Sequence, residues 1–134
     1  MNSAVPVNRS APTGQIPAFV TSNAVSEQAI SDAVPTFWLA PQHLREAMTL
    51  LKPDYPLLHD LFAIDERLRK HREGQPASDF TVVYHLMSFR LNADIRLKVP
   101  LIGETPSCPS ISDFWPVANW YEREAWDMYG VVFD

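Results

Sequence analysis

The apolar and polar positions of this chain change period several times, and each change marks an element. Between 41 and 52 the apolar residues Leu44, Ala47, Met48 and Leu51 fall at i, i+3, i+4 and i+7, the spacing of a helix with one buried face. Pro41 sits where a first helical turn tolerates it, and Pro53 and Pro56 stop the helix. From 95 to 102 the period is two: Ile95, Leu97 and Val99 point one way and Arg96 and Lys98 the other, as in a strand with one wet face. The run FTVVYHLMSF at 80–89 is β-branched and aromatic, and the polar turn RLNAD joins the two runs into an antiparallel hairpin. Residues 57–64, apolar apart from His59 and Asp60, predict another strand, as do 36–39. Weaker signals predict a short strand at 18–21 and a short helix at 26–34. The charged, then turn-rich segment DERLRKHREGQPASD at 65–79 predicts a surface loop or a ragged helical turn. Ser110 with Asp113 reads as a cap for a short helix through Phe114 and Trp115, ended by Pro116.

The stretch around which these elements are organised is NWYEREAWDMYGVVF, residues 119–133. Asn119 as N-cap and Glu122 three residues on read as a capping box, and Gly130 takes the left-handed turn that closes the helix. On a helical wheel Met128, Tyr121, Ala125, Tyr129 and Trp126 share one sector, with Arg123 and Asp127 opposite as an i, i+4 pair. Glu122 falls inside the apolar sector and needs a cationic or hydrogen-bonding partner. Trp120 falls among the charges and wants something to cover it. Such a helix is suited to contact on more than one side, and the VVFD that follows predicts a strand or extended arm.

With 134 residues, of which 46% are hydrophobic, the chain suits one domain plus a tail: 1–16, rich in Ser, Ala, Pro and Asn, as a flexible tail, and 17–134 as a single α+β domain. A two-layer arrangement is expected, a mixed sheet with helices packed on one side. The formal charge of −5 supplies no basic footprint for nucleic acid. Cys108, the single cysteine, reads as a loop thiol, and neither a disulfide framework nor a cysteine-ligated cluster can be built from it alone. No apolar run approaches the roughly 20 residues that cross a bilayer, and the amino terminus lacks the blocks of a signal peptide. The expectation is a cytoplasmic protein that meets membrane only through partners.

Candidate chemistry is sparse. His43, His59, His71 and His85 have no second ligand at a recognised metal spacing, and His85 reads as a hydrogen-bonded histidine at the edge of the core. There is no glycine-rich phosphate loop and no nucleophile signature. Glu122 and Glu124, two apart on a helix, diverge, while Arg123 can neutralise Asp127, so these groups suit a charged face better than an acid–base pair. The basic run Arg67, Arg69, Lys70, His71 and Arg72 reads as a solvated loop, with docking of an acidic partner as the alternative. Trp115, Trp120 and Trp126 lie within twelve residues, which suits either an obligate protein interface or plain core packing.

Trp120-Tyr121-Glu122-Arg123-Glu124, followed by Asp127, Gly130 and Phe133, resembles the signature of the C subunit of the proton-pumping NADH:quinone oxidoreductase, respiratory complex I. Asp65-Glu66-Arg67-Leu68, Tyr84-His85-Leu86, Leu97-Lys98-Val99, and Ser110-Ile111 leading to Ala118-Asn119 are similar too, in the family's order, so the likeness spans about 36–134. The resemblance implies a structural and assembly subunit of the peripheral arm, on the cytoplasmic side of the inner membrane. It would carry no cofactor, the FMN, iron–sulfur clusters and quinone belonging to partner subunits. Its neighbours would be the quinone-site D subunit, possibly fused to it, and the iron–sulfur subunits, in an enzyme that moves electrons from NADH to quinone and pumps protons. The eight signature residues would then form the interface, with Glu122, Arg123, Glu124 and Asp127 in ion pairs within the domain and across to partners. In the family a His-Pro and a paired-arginine segment lead on into a carboxy-terminal arm, so a chain stopping at Asp134 is expected to be truncated, the first part of a fused C/D protein. Two other readings stand beside this one: the amino-terminal domain of a membrane-bound hydrogenase large subunit, and a free-standing enzyme using the carboxylate cluster.

Overall fold

The computed structural model describes residues 16–28, 32–71 and 74–134. Its centre is the predicted hairpin: β4 (Phe80–Ser88) pairs antiparallel with β5 (Ala93–Leu101), from Phe80 opposite Leu101 to Ser88 opposite Ala93. On one side β3 (Leu57–Asp65) continues the antiparallel pairing against β4, with a register shift between Leu58 and Asp60. On the other, β2 (Thr36–Trp38) runs parallel to β5, and β1 (Ser26–Gln28) closes that edge antiparallel to β2. The sheet is mixed, in the order β1-β2-β5-β4-β3. A separate pair, β6 (Ser107–Cys108) with β7 (Val132–Phe133), runs parallel.

Alternation along the strands decides where the core lies. Leu61, Val82, Tyr84, Leu86, Ile95, Leu97 and Val99 form one buried cluster with Val20 of α1 (Ala18–Asn23), Leu44, Ala47, Met48 and Leu51 of α2 (Leu44–Leu51), and Ala118 and Ala125 of α3 (Ala118–Tyr129). Among the described residues the three α-helices therefore place these apolar residues against the same sheet face, an α+β fold of two layers. The opposite face is less wet than its basic residues predict. The Lys98 ammonium lies over the Trp38 ring at 5.4 Å, and Arg96 pairs with Asp32 at 2.8 Å, so Val83 and Trp38 are buried there. This is how long cationic side chains cover apolar surface while keeping their charge hydrated.

Several expectations need correction. Residues 18–21 are helical: Pro17 precedes the first turn, Asn23 Nδ2 donates to the Phe19 carbonyl at 2.9 Å, and Val20 reaches the core from a helix. Burial against the sheet outweighs the β-propensity of so short a run. Within 26–34 the chain forms β1 and no helix, because the backbone pairs with β2, beginning with the Val25 amide donating to the Trp38 carbonyl at 2.7 Å; residues 29–31 of that expectation lie outside the described residues. The helix at 41–52 opens with a 3₁₀ turn, Pro41–His43, before α2. Near Ser110 there is a single turn, with the Phe114 and Trp115 amides both donating to the Ile111 carbonyl, since the Ser110 hydroxyl is engaged elsewhere. The tail expected at 1–16 lies outside the described residues except for Ile16.

The loop after β3 is anchored by Glu66. Its buried carboxylate accepts from Thr81 Oγ1 at 2.6 Å and Gln75 Nε2 at 3.0 Å and pairs with Arg69 at 3.3 Å. Arg67 in turn holds Asp65 at 2.7 Å, so two cations of the basic run are neutralised locally. His85 stands at the core edge as expected, its Nε2 2.9 Å from Asp94 Oδ2.

Candidate functional site

The helix that carries the sequence motif is α3, and its start differs from the capping box expected. It begins at Ala118 after Val117, with no side-chain cap, and Asn119 lies inside its first turn. The early amides are satisfied by carbonyls of the turn before: Ala118 N–H donates to Trp115, Asn119 to Pro116 and Trp120 to Val117. With those donors already paired, no side-chain acceptor is required. The end is as expected: Gly130 adopts φ +72° and donates to the Trp126 carbonyl at 2.9 Å, a left-handed closure that costs a residue with a Cβ.

Freed from the cap, Glu122 turns inward. It is 6% exposed; Oε1 accepts from the Ser110 hydroxyl at 2.7 Å and Oε2 from the Ile111 amide at 2.9 Å. Burial pushes its carboxyl above the usual range, while those two donors pull it back. The loop it holds is gripped from α2 as well. Arg45 donates to the Ser110 carbonyl at 2.7 Å and binds Asp113 through two hydrogen bonds, holding that carboxyl down to about 2. Lys52 Nζ donates to the Phe114 carbonyl, and Trp115 Nε1 to the Pro56 carbonyl at 2.8 Å. Trp115 is thus a core residue that ties the loop to the segment before β3.

The inward stripe of α3 is Ala118, Glu122 and Ala125, with Tyr121 and Tyr129 half-buried beside it. The expected apolar sector needs correction, since Trp126 is 53% and Met128 63% exposed, on the outer side with Trp120 at 72%. Ala118, Glu122 and Ala125 occupy the middle of the inward face, and Trp126 and Met128 lie on its two flanks, where they stay exposed. The Arg123–Asp127 ion pair is also corrected: among the described residues Arg123, Glu124 and Asp127 form no side-chain hydrogen bond or ion pair. An exposed i, i+4 pair is worth about 0.5 kcal/mol at most, which side-chain entropy readily offsets. Two open concavities flank this outer side. One, of about 470 Å³, runs between α3 and β7, where Arg123, Trp126 and Asp127 face Val132 and Phe133. The other, of about 450 Å³, is bounded by Trp120, Arg123, Glu124 and Asp127.

What the arrangement can do chemically is limited. Both oxygens of Glu122 are engaged, and among the described residues no side chain is hydrogen-bonded or ion-paired to Glu124 or Asp127. Among the described residues no group of three or more His, Cys, Asp and Glu side chains is placed to hold a metal ion. Cys108 lies in β6 rather than in a loop, buried 3.3 Å from the Tyr84 hydroxyl, and burial pushes its thiol up to about 12. Ser110 and Ile111 as the partners of Glu122, and Arg45 with Asp113, escaped sequence reasoning. The one signal was that Ser110-Ile111 belongs to the recurring stretches.

A family model described as the respiratory-chain NADH dehydrogenase 30 Kd subunit matches residues 37–134. The chain is 54% identical over 113 residues to the C/D subunit of NADH-quinone oxidoreductase from Psychrobacter sp. (strain PRwf-1), covering 81% of this chain and 19% of that protein. It is 53% identical over 111 residues to the C/D subunit of Nitrosospira multiformis, covering 80% and 18%. The chain thus spans about a fifth of the length of these curated relatives. Among solved structures, the trypsin-resistant fragment of Nqo5 superposes with TM-score 0.66 at 26% identity, covering 75% of this chain and 78% of that one. A chain of the archaeal membrane-bound sulfane sulfur reductase also gives 0.66, at 20% identity, covering 87% and 66%, a likeness of fold alone.

Proposed function

The chain belongs to the family of the 30 kDa subunit of respiratory-chain NADH dehydrogenase, and on that premise we propose that it is the C portion of a fused C/D protein of NADH-quinone oxidoreductase, acting as a structural and assembly element. In this reading residues 17–134 are one domain. FMN, iron–sulfur clusters and quinone are held by partner subunits, and electrons pass from NADH to quinone without touching this chain. The domain sits in the peripheral arm on the cytoplasmic side of the membrane, against the D portion and the iron–sulfur subunits. Among the described residues no helix is long and apolar enough to cross a membrane. The relatives cited above carry quinone-oxidoreductase names, which is why this reading is preferred to a hydrogenase subunit.

The observation that carries the proposal is the outer side of α3. Trp120, Trp126 and Met128 stand exposed among Arg123, Glu124 and Asp127, whose charges are unmatched within the described residues. Interface cores are enriched in aromatic residues and Met, and buried charges are matched across an interface. Trp120, Arg123, Glu124 and Asp127 are the docking residues of the motif. Glu122, Gly130 and the half-buried Tyr121 shape the helix that presents them, and Phe133 the strand beside it. The test is Arg123→Ala in the full-length protein. The melting temperature of the domain should stay within about 2 °C of the parent, as expected for a surface change, while recovery of assembled oxidoreductase falls severalfold. If melting collapsed while the folded fraction still assembled normally, the docking role would be wrong.

A further inference from the structure

Three outward residues of α3 sit where the helix by itself would not favour them. Asp127 stands in the last turn, where the exposed carbonyls of the macrodipole favour cations, and that turn holds no basic residue. Glu124 lies three residues before it, so the two carboxylates are neighbours on the helix surface and repel each other. Trp120, one turn further back, completes the stripe with its ring largely exposed. Arg123 borders the same concavity of about 450 Å³ but pairs with neither acid, and one cation against two carboxylates leaves the concavity negative. Local rules broken together at one place mark a position kept for contact rather than for folding.

We infer that this concavity receives an arginine side chain from the D portion of the same polypeptide. This rests on the reading of the chain as the C portion of a fused protein that docks through α3, and it states which group docks there. A guanidinium is planar, so its face stacks on the Trp120 ring while its edge donates two hydrogen bonds to a carboxylate. One such group relieves the repulsion between Glu124 and Asp127, the mismatch at the helix end and the exposure of Trp120. A lysine ammonium would neutralise the charge but has no flat face to lay on the ring, and an acidic or apolar group leaves both carboxylates unmatched. The source follows from tethering. The matched stretch is about a fifth of the fused relatives, so most of such a protein is linked to this domain. A linked segment meets the concavity at an effective concentration of roughly millimolar, which a separate subunit must match by affinity alone.

The test uses the full-length protein. Asp127→Asn removes both the repulsion and the mismatch at the helix end, so the domain should melt about 2–4 °C higher than the parent. Recovery of assembled oxidoreductase should nevertheless fall at least threefold, and at least tenfold for Asp127→Arg. The photo-reactive p-benzoylphenylalanine in place of Asn119, on the rim of the concavity, then identifies the occupant by mass spectrometry of the cross-linked peptides from the assembled enzyme. The expected peptide belongs to the same polypeptide, outside residues 1–134, and contains an arginine. Changing that arginine to Glu should restore assembly of Asp127→Arg. A peptide from a separate polypeptide, a peptide without arginine, or a charge swap that restores nothing overturns the assignment while the docking reading stands. Normal assembly of both Asp127 variants, with no cross-link from position 119, overturns the docking reading as well.

Discussion

Glu122 and Arg123 are adjacent in sequence and both charged, yet they sit in opposite physical situations. The inward side of α3 is closed: Glu122 is matched atom for atom by Ser110 and Ile111, and Ala118 and Ala125 are small enough to bring the helix onto the sheet. The outer side is open, with a Trp 72% exposed and charges that meet nothing within the described residues. One helix thus serves two purposes with interleaved residues. The inward ones hold its position and the outward ones await contact. The difference teaches that a residue's place in a recurring motif does not say which purpose it serves, since neighbours one step apart on a helix are turned by about 100°.

The sharpest way to break this comparison is Glu122→Ala. It leaves the Ile111 amide and Ser110 hydroxyl without their acceptor in a closed site, at a cost of about 2 kcal/mol, or roughly a 10 °C fall in melting temperature for a domain of this size. Thermal melting followed by circular dichroism measures it, and a shift under 2 °C would mean that Glu122 does not set the helix's place.

A smaller effect should appear in the pH dependence. The folded carboxyl of Glu122 is raised above the ordinary 4.5, so the folded state binds its proton more tightly than the unfolded chain does. Stability from this group is therefore full below that value and declines as pH rises through the raised one, by at most about 1.4 kcal/mol per pH unit for one proton. Glu122→Gln, which does not ionise, should flatten that decline in urea unfolding curves. Asp113 and Asp65, held to about 2 by Arg45 and Arg67, act with the opposite sign, losing their contribution as pH falls toward 2, and being exposed they contribute little. An unchanged slope in the Gln variant would argue that the carboxyl is not buried.

The smallest effect on folding is expected from the largest side chain. Trp120→Ala should change unfolding free energy by no more than about 0.5 kcal/mol, as for other exposed positions. A loss above 1 kcal/mol in chemical denaturation would show that Trp120 belongs to the domain's own core.

The hairpin β4–β5 and the helix through Leu44 and Leu51 were legible because their periodicity is written in many residues at once. Short segments were not. At 18–21 and 26–34 the pattern is too weak to choose between helix and strand, and the choice came from what lay alongside: the core for Val20, β2 for Ser26–Gln28. The docking residues were legible as an odd mixture of tryptophan and charge. Their orientation was not, because Asn119 and Glu122 match a capping box locally while the chain before them already supplied the carbonyls that made a cap unnecessary.

By itself the sequence determined the alternation of the central strands, the closure at Gly130 and the family, all matters of local chemistry and residue order. Only the tertiary structure decided which way α3 is turned. A buried carboxylate goes where donors exist, and Glu122 found its donors in Ser110 and Ile111, eleven and more positions back along the chain, where no local pattern reaches.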